Sequence, residues 1–119
     1  MIELSPPSDL DLEETVIGLL MLPANPPHHV TLGPILNREF FWHEGTRTAF
    51  DAAMAIANSG GDITESTIHS AIQAAGRVTP ETSLLSLATY RMKAINTHDV
   101  GWYAAELRKL HTRRKVMSA

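Results

Sequence analysis

Imidazoles and carboxylates are the side chains in this sequence with the widest chemical reach; it carries six His and thirteen Asp+Glu. Imidazole titrates near neutrality and ligates transition metals, so two histidines on one helix face would read as a metal or proton-transfer site. His28 and His29 are adjacent and would diverge by about 100° on a helix, while His43, His69, His98 and His111 have no partner histidine three or four residues away. They are expected as ordinary surface or partly buried side chains, with no metal site. Paired carboxylates serve as general acid and base. Asp9, Asp11, Glu13 and Glu14 are dense enough for that, but they fall at a helix start, where the positive end of the helix dipole accounts for them. Ser83 and Ser86 lie in a leucine-rich segment outside any Gly-x-Ser-x-Gly elbow. There is no cysteine, hence no disulfide, thiolate metal site or thiol nucleophile. No Gly-x-x-x-x-Gly-Lys-Ser/Thr phosphate cradle occurs either. The expectation is a chain that is not an enzyme and carries no cofactor.

Two clusters remain that suit binding. Phe40, Phe41 and Trp42 supply large apolar area, either as core or as an anchor for a partner, with at least one ring expected to face an interface. Arg108, Lys109, Arg113, Arg114 and Lys115 suit phosphate contacts whose affinity falls with salt, or else form a solvated helix end.

The elements that must position these residues read as helices. Ser8 or Asp9 can cap a first helix in which Leu12, Val16, Leu19 and Leu20 recur at helical spacing and which Pro23 stops. Val30, Leu32, Ile35 and Leu36 suggest a short second helix, against the roughly 3 kcal/mol cost of a proline such as Pro34 inside it. The aromatic cluster runs into a helix carrying Ala49, Phe50, Ala53, Met54 and Ala57, with Gly60-Gly61 as its exit. Thr64 caps a fourth helix with Ile68, Ala71 and Ile72, ending at Gly76. Thr79-Pro80-Glu81 is the strongest start signal, opening a fifth helix with Leu84, Leu85, Leu87, Ala88 and Met92 that ends near Ile95-Asn96. A last helix starts around Thr97 or Asp99, with Val100, Tyr103, Ala104, Leu107 and Leu110 on one stripe. No segment alternates with period two, so the expected fold is all-α, a compact bundle of five or six short helices.

At 119 residues the chain suits one domain, and a nucleotide-driven motor does not fit in it. Residues 1–8 are expected as a flexible lead-in, 9–117 as the helical domain and 118–119 as a tail. The longest apolar run, Val16 to Leu22, is far short of the roughly 18 residues that span a bilayer. A net charge of −3 is mild but uneven. Glu3, Asp9, Asp11, Glu13 and Glu14 crowd the start, and the five bases named above face only Glu106 near the end. The lack of cysteine fits a cytoplasmic location.

Three blocks in order resemble the N-terminal domain of hexameric DnaB-type replicative DNA helicases. Asp11-Leu12-Glu13-Glu14-Thr15-Val16-Ile17-Gly18-Leu19-Leu20-Met21 is similar to that family's opening helix, Glu-Ala-Glu followed by Val-Leu-Gly and a hydrophobic run. Phe41-Trp42-His43-Glu44-Gly45-Thr46-Arg47-Thr48-Ala49-Phe50 is similar to Phe-Tyr-x-x-x-His-Arg-x-Ile-Phe, with Thr46 in place of the histidine. Trp102-Tyr103-Ala104-Ala105-Glu106-Leu107-Arg108-Lys109, then Arg113-Arg114, is similar to Tyr-Tyr-Ala-x-Ile-Val-Arg-Glu and its basic continuation. Gly60-Gly61-Asp62-Ile63-Thr64 falls where the family has Gly-x-x-Ile-Asp and a helix cap. Two departures are the missing Gly-Gly-x-x-Tyr-Leu around Thr82-Ser83-Leu84 and Gly33-Pro34 within the second helix.

The resemblance implies a non-catalytic collar and interaction domain of the replisome. Its partners would be further copies, as dimer or higher, and the primase C-terminal domain or a helicase loader, with DNA engaged only indirectly and no membrane. ATP and Mg would belong to an ATPase domain outside this chain, which would be an excised fragment or, alternatively, a free-standing phage- or plasmid-type regulator that mimics the domain and binds helicase or primase. Phe41, Trp42, Arg47, Trp102 and Tyr103, with the exposed faces of the last two helices, are the candidate protein interface. Arg108, Lys109, Arg113, Arg114 and Lys115 are candidates for weak nucleic-acid contact.

Overall fold

The structure, a computed structural model, describes residues 8–97 and 99–118. Most of the expected lead-in, His98 and the last residue of the expected tail lie outside them. Six α-helices follow in order: α1 (Leu10–Met21), α2 (His28–Leu32), α3 (Glu44–Asn58), α4 (Glu65–Ala74), α5 (Leu84–Ile95) and α6 (Val100–Ser118). Single 3-10 turns, Arg38–Phe40 and Pro80–Thr82, precede α3 and α5, and there is no strand among the described residues. The expected all-α bundle is what is observed.

Helix α1 is the central element. Asp9 caps it by accepting the Leu12 N–H at 3.1 Å, and its residues from Leu12 to Met21 are buried apart from Glu14. It packs along α5 and also meets α6, α3 and α2. Contact with α5 is close because Gly18 has no side chain: a Cβ there would lie 2.0 Å from the Tyr90 carbonyl oxygen. Val16, Ile17, Phe41, Ala49, Ile68, Ile72, Leu87, Ala104 and Leu107 complete one continuous core.

Two boundaries differ from the expected ones. Helix α2 ends at Leu32, where the Gly33 N–H closes it on the His29 carbonyl, and Pro34 lies beyond it. Leu36 reaches the core from the following turn, whereas Val30 and Ile35 stay exposed. The signal at Thr79-Pro80-Glu81 starts only the 3-10 turn, in which the Thr79 N–H donates to the Thr82 hydroxyl at 2.9 Å. Thr82 is fully buried and its carbonyl accepts from the His69 ring at 3.1 Å. That fixes the turn, so α5 begins after it with Ser83 as its own cap. Thr64 caps α4 as expected, paired reciprocally with Thr67.

Candidate protein interface

The aromatic segment is sorted into core and surface by three charged side chains from three helices. Glu13 turns inward from α1 and is 1% exposed. Its carboxylate accepts the backbone N–H groups of Trp42 and His43, each at 3.1 Å, and the Thr46 hydroxyl at 2.5 Å. The His43 Nδ1 lies a further 3.1 Å away. Helix α3 has no side-chain cap of its own, so Glu13 supplies the acceptor that its N-terminus needs. Glu13, expected to complement the dipole of its own helix, serves the N-terminus of α3 instead.

Arg47 on α3 donates from Nε to the Phe41 carbonyl and from Nη2 to the Trp42 carbonyl, each at 3.1 Å. Arg114 on α6 donates from Nη2 to the carbonyls of Glu39 and Phe40, also at 3.1 Å. Its guanidinium lies 5.4 Å from the centre of the Trp42 ring. Held this way, the segment sends Phe41 inward, stacked on Phe50 at 4.7 Å, and leaves Trp42 at 44% exposure.

Five candidate interface residues therefore take different places. Phe41 is fully buried and belongs to the core; it offers nothing to a partner. Arg47 is half-buried and committed to the turn. Tyr103 packs against the core, with Trp102 edge-on to it at 4.9 Å. Trp42 and Trp102 are the two exposed rings of the set, with Tyr103 half-buried.

The basic residues of α6 also divide. Arg114 is 6% exposed, so it is a structural cation rather than a surface contact for nucleic acid. Burial is the first cause that lowers its pKa, and the neighbouring Arg47 charge lowers it further while Glu13 opposes. Arg108, Lys109 and Arg113 line one hollow of about 490 Å³ with Ile35, Gly101, Ala105 and Thr112. Lys115 and Arg114 line a different one with Trp42. The five bases do not form a single stripe.

The exposed face of α5, expected to contribute to the interface, is apolar. Its inner side is Leu87, Tyr90 and Ala94, and the larger hydrophobes point outward: Leu84 at 48% exposure, Leu85 at 79%, Met92 at 66% and Ile95 at 55%. Lys93 anchors the helix to α1 through Asp11 at 2.7 Å and Glu14 at 2.6 Å. Burial works against the Lys93 charge, but these two hydrogen bonds outweigh it and its pKa is raised. The Tyr90 hydroxyl donates to the Glu81 carbonyl at 2.7 Å. Burial first, then the Glu14 charge, pushes that phenol up to about 12. With α5 fixed so firmly from within, its outer apolar face is a stable surface feature. Exposed patches of this kind mark association sites.

Among the described residues no group of three His, Asp or Glu side chains stands ready for a metal ion, and no helix is long and apolar enough to cross a membrane.

The family model described as "DnaB-like helicase N terminal domain" matches residues 5–109. Among solved structures, one similar to this chain is the crystal structure of the N-terminal domain of DnaB helicase from Mycobacterium tuberculosis. The TM-score is 0.86 at 18% identity, covering 96% of this chain and 78% of that one. No curated protein matches.

Proposed function

The chain belongs to the family of DnaB-like helicase N-terminal domains, and from that premise we propose that it is the non-catalytic collar and interaction domain of a hexameric replicative helicase, pairing with a second copy through the outer face of α5 and offering a docking surface to primase or a loader. The observation that carries the reading is the row Leu85, Ala88, Met92 and Ile95, exposed at Leu85, Met92 and Ile95 and half-buried at Ala88. Its spacing of three, four and three residues reads the same in either direction. A two-fold axis on the outer face, level with position 90, then sets Leu85 against Ile95 and the small Ala88 against the long Met92 of the other copy, the self-complementarity an isologous pair requires. The two cations flanking this row are already neutralised internally, Arg91 by Glu65 and Lys93 by Asp11 and Glu14. Two copies can approach there without bringing unpaired charge together.

Trp102, half exposed at the start of α6, is the second anchor in this reading and the one assigned to primase or loader. Sedimentation equilibrium of the purified chain, followed by calorimetric titration with the cognate primase C-terminal domain and with the loader, tests both halves. A concentration-dependent dimer and a heat of binding to one of the two are expected. A strict monomer with no binding to either would overturn the proposal.

A further inference from the structure

Beside the aromatic turn lies a hollow of about 480 Å³ lined by Arg38, Glu39, Trp42, Arg47, His111, Arg114 and Lys115. Four cations and one carboxylate meet there in a chain whose net charge is −3. Arg38 is engaged by Asp51 at 3.1 Å. Arg47 is held by neutral carbonyls, which orient a guanidinium without cancelling its charge, and among the described residues it makes no ion pair. Lys115 is exposed on the rim and likewise has no ion-pair partner among the described residues. Trp42 lines the same hollow with its indole backed by the Arg114 guanidinium and 44% of its surface open.

Cations fixed in place by backbone, next to a supported and exposed indole, match the two chemical parts of a nucleotide chain. A phosphate needs positive charge that costs no reorganisation to present, and an unpaired base needs a flat apolar face to stack on. A carboxylate-rich peptide would use the cations and leave the indole unexplained. The geometry points to a binding site for single-stranded nucleic acid in this hollow, with a base on Trp42 and neighbouring phosphates against Arg47 and Lys115. It lies away from the α5 pairing face, departs from the expectation that DNA is engaged only indirectly, and does not depend on the pairing proposal.

Titrating the chain carrying Trp102→Phe with a single-stranded oligothymidylate isolates Trp42 as the fluorescent reporter. The expected result is saturable quenching at low salt, with log K falling against log salt at a slope of about −1.4 to −2.1 for two or three phosphates. Lys115→Glu, which alters an exposed side chain, should weaken binding roughly tenfold, the loss of about one contact. Arg113→Glu, of equal charge change but lining the other hollow, should cost much less. Three results would overturn the assignment: no quenching at low salt; equal losses for Lys115→Glu and Arg113→Glu, which would be general electrostatics; or poly-glutamate of matched length quenching as strongly, which would make this an acidic-peptide site. An unchanged circular-dichroism melt for the two charge variants shows that binding, not folding, is being read.

Discussion

Glu13 in α1 and Thr46 in α3 share a buried hydrogen bond of 2.5 Å between carboxylate and hydroxyl. Through it, and through the N–H groups of Trp42 and His43, one acid ties the first and third helices and sets the direction of the aromatic turn. Thr46 occupies the position where the helicase family motif has histidine, and the same carboxylate also reaches the His43 ring.

Glu13→Ala should cost about 3 kcal/mol or more, because it removes charge-assisted bonds and leaves several buried donors without an acceptor. Thr46→Val, which removes one donor and leaves the others, should cost about 1 kcal/mol. Urea unfolding followed by circular dichroism reads both. Equal and small losses would show that the network does not hold the turn.

Gly18 and Gly101 should respond oppositely to alanine. At Gly18 the new methyl would meet the Tyr90 carbonyl at 2.0 Å and force α1 and α5 apart, a loss of about 3 kcal/mol. At Gly101, on the exposed side of α6, the nearest atom is the Asp99 carboxylate at 3.8 Å. There, alanine should stabilise by roughly 0.5–1 kcal/mol through helix propensity. Thermal melts of the two variants separate packing from propensity.

The pattern of helices was legible because caps and breakers act locally: Asp9, Thr64, Gly60 and Gly76 work within a few residues of themselves. Gly60 and Gly76 take positive φ, 82° and 67°, which other residues rarely adopt. What the sequence did not reveal depends on partners far along the chain. Glu13 acts 33 residues away on Thr46, and Arg114 acts 75 residues away on Glu39. Neither separation leaves a periodic trace. Which side of α5 faces outward was not legible for a related reason. Its inner side meets Gly18 through the Tyr90 backbone and the Ala94 methyl, so Tyr90 and Ala94 are buried while Leu85 and Met92 are not, and hydrophobicity alone does not pick the inner side. Phe41 and Trp42 are likewise neighbours of one chemical type, and only the turn decides that Phe41 is core and Trp42 is the ring left exposed.

His111 supplies a pH signature. Burial first, then the charges of Lys115 and Arg114, lowers its pKa below the ordinary 6.5, and Glu39 only partly opposes them. A lowered folded-state pKa means that, below 6.5, the unfolded chain takes up the proton first. His111 therefore favours the folded state fully above pH 6.5, and that contribution is lost as pH falls toward its folded pKa. An NMR titration should place the His111 ring below 6.5, and His111→Gln should flatten the acid side of the stability profile. A ring titrating above 6.5 would contradict the assignment.

The central claim, that α5 turns its apolar face outward to meet a second copy, is tested most directly by sedimentation equilibrium of the chain beside its Leu85→Asp, Met92→Asp double variant. Both residues are exposed, so the variant should keep its helix content and melting behaviour. The account predicts a reversible dimer or larger species for the unaltered chain and a monomer for the variant at the same concentration. An unaltered chain that stays monomeric, or a variant that associates as strongly, would contradict it.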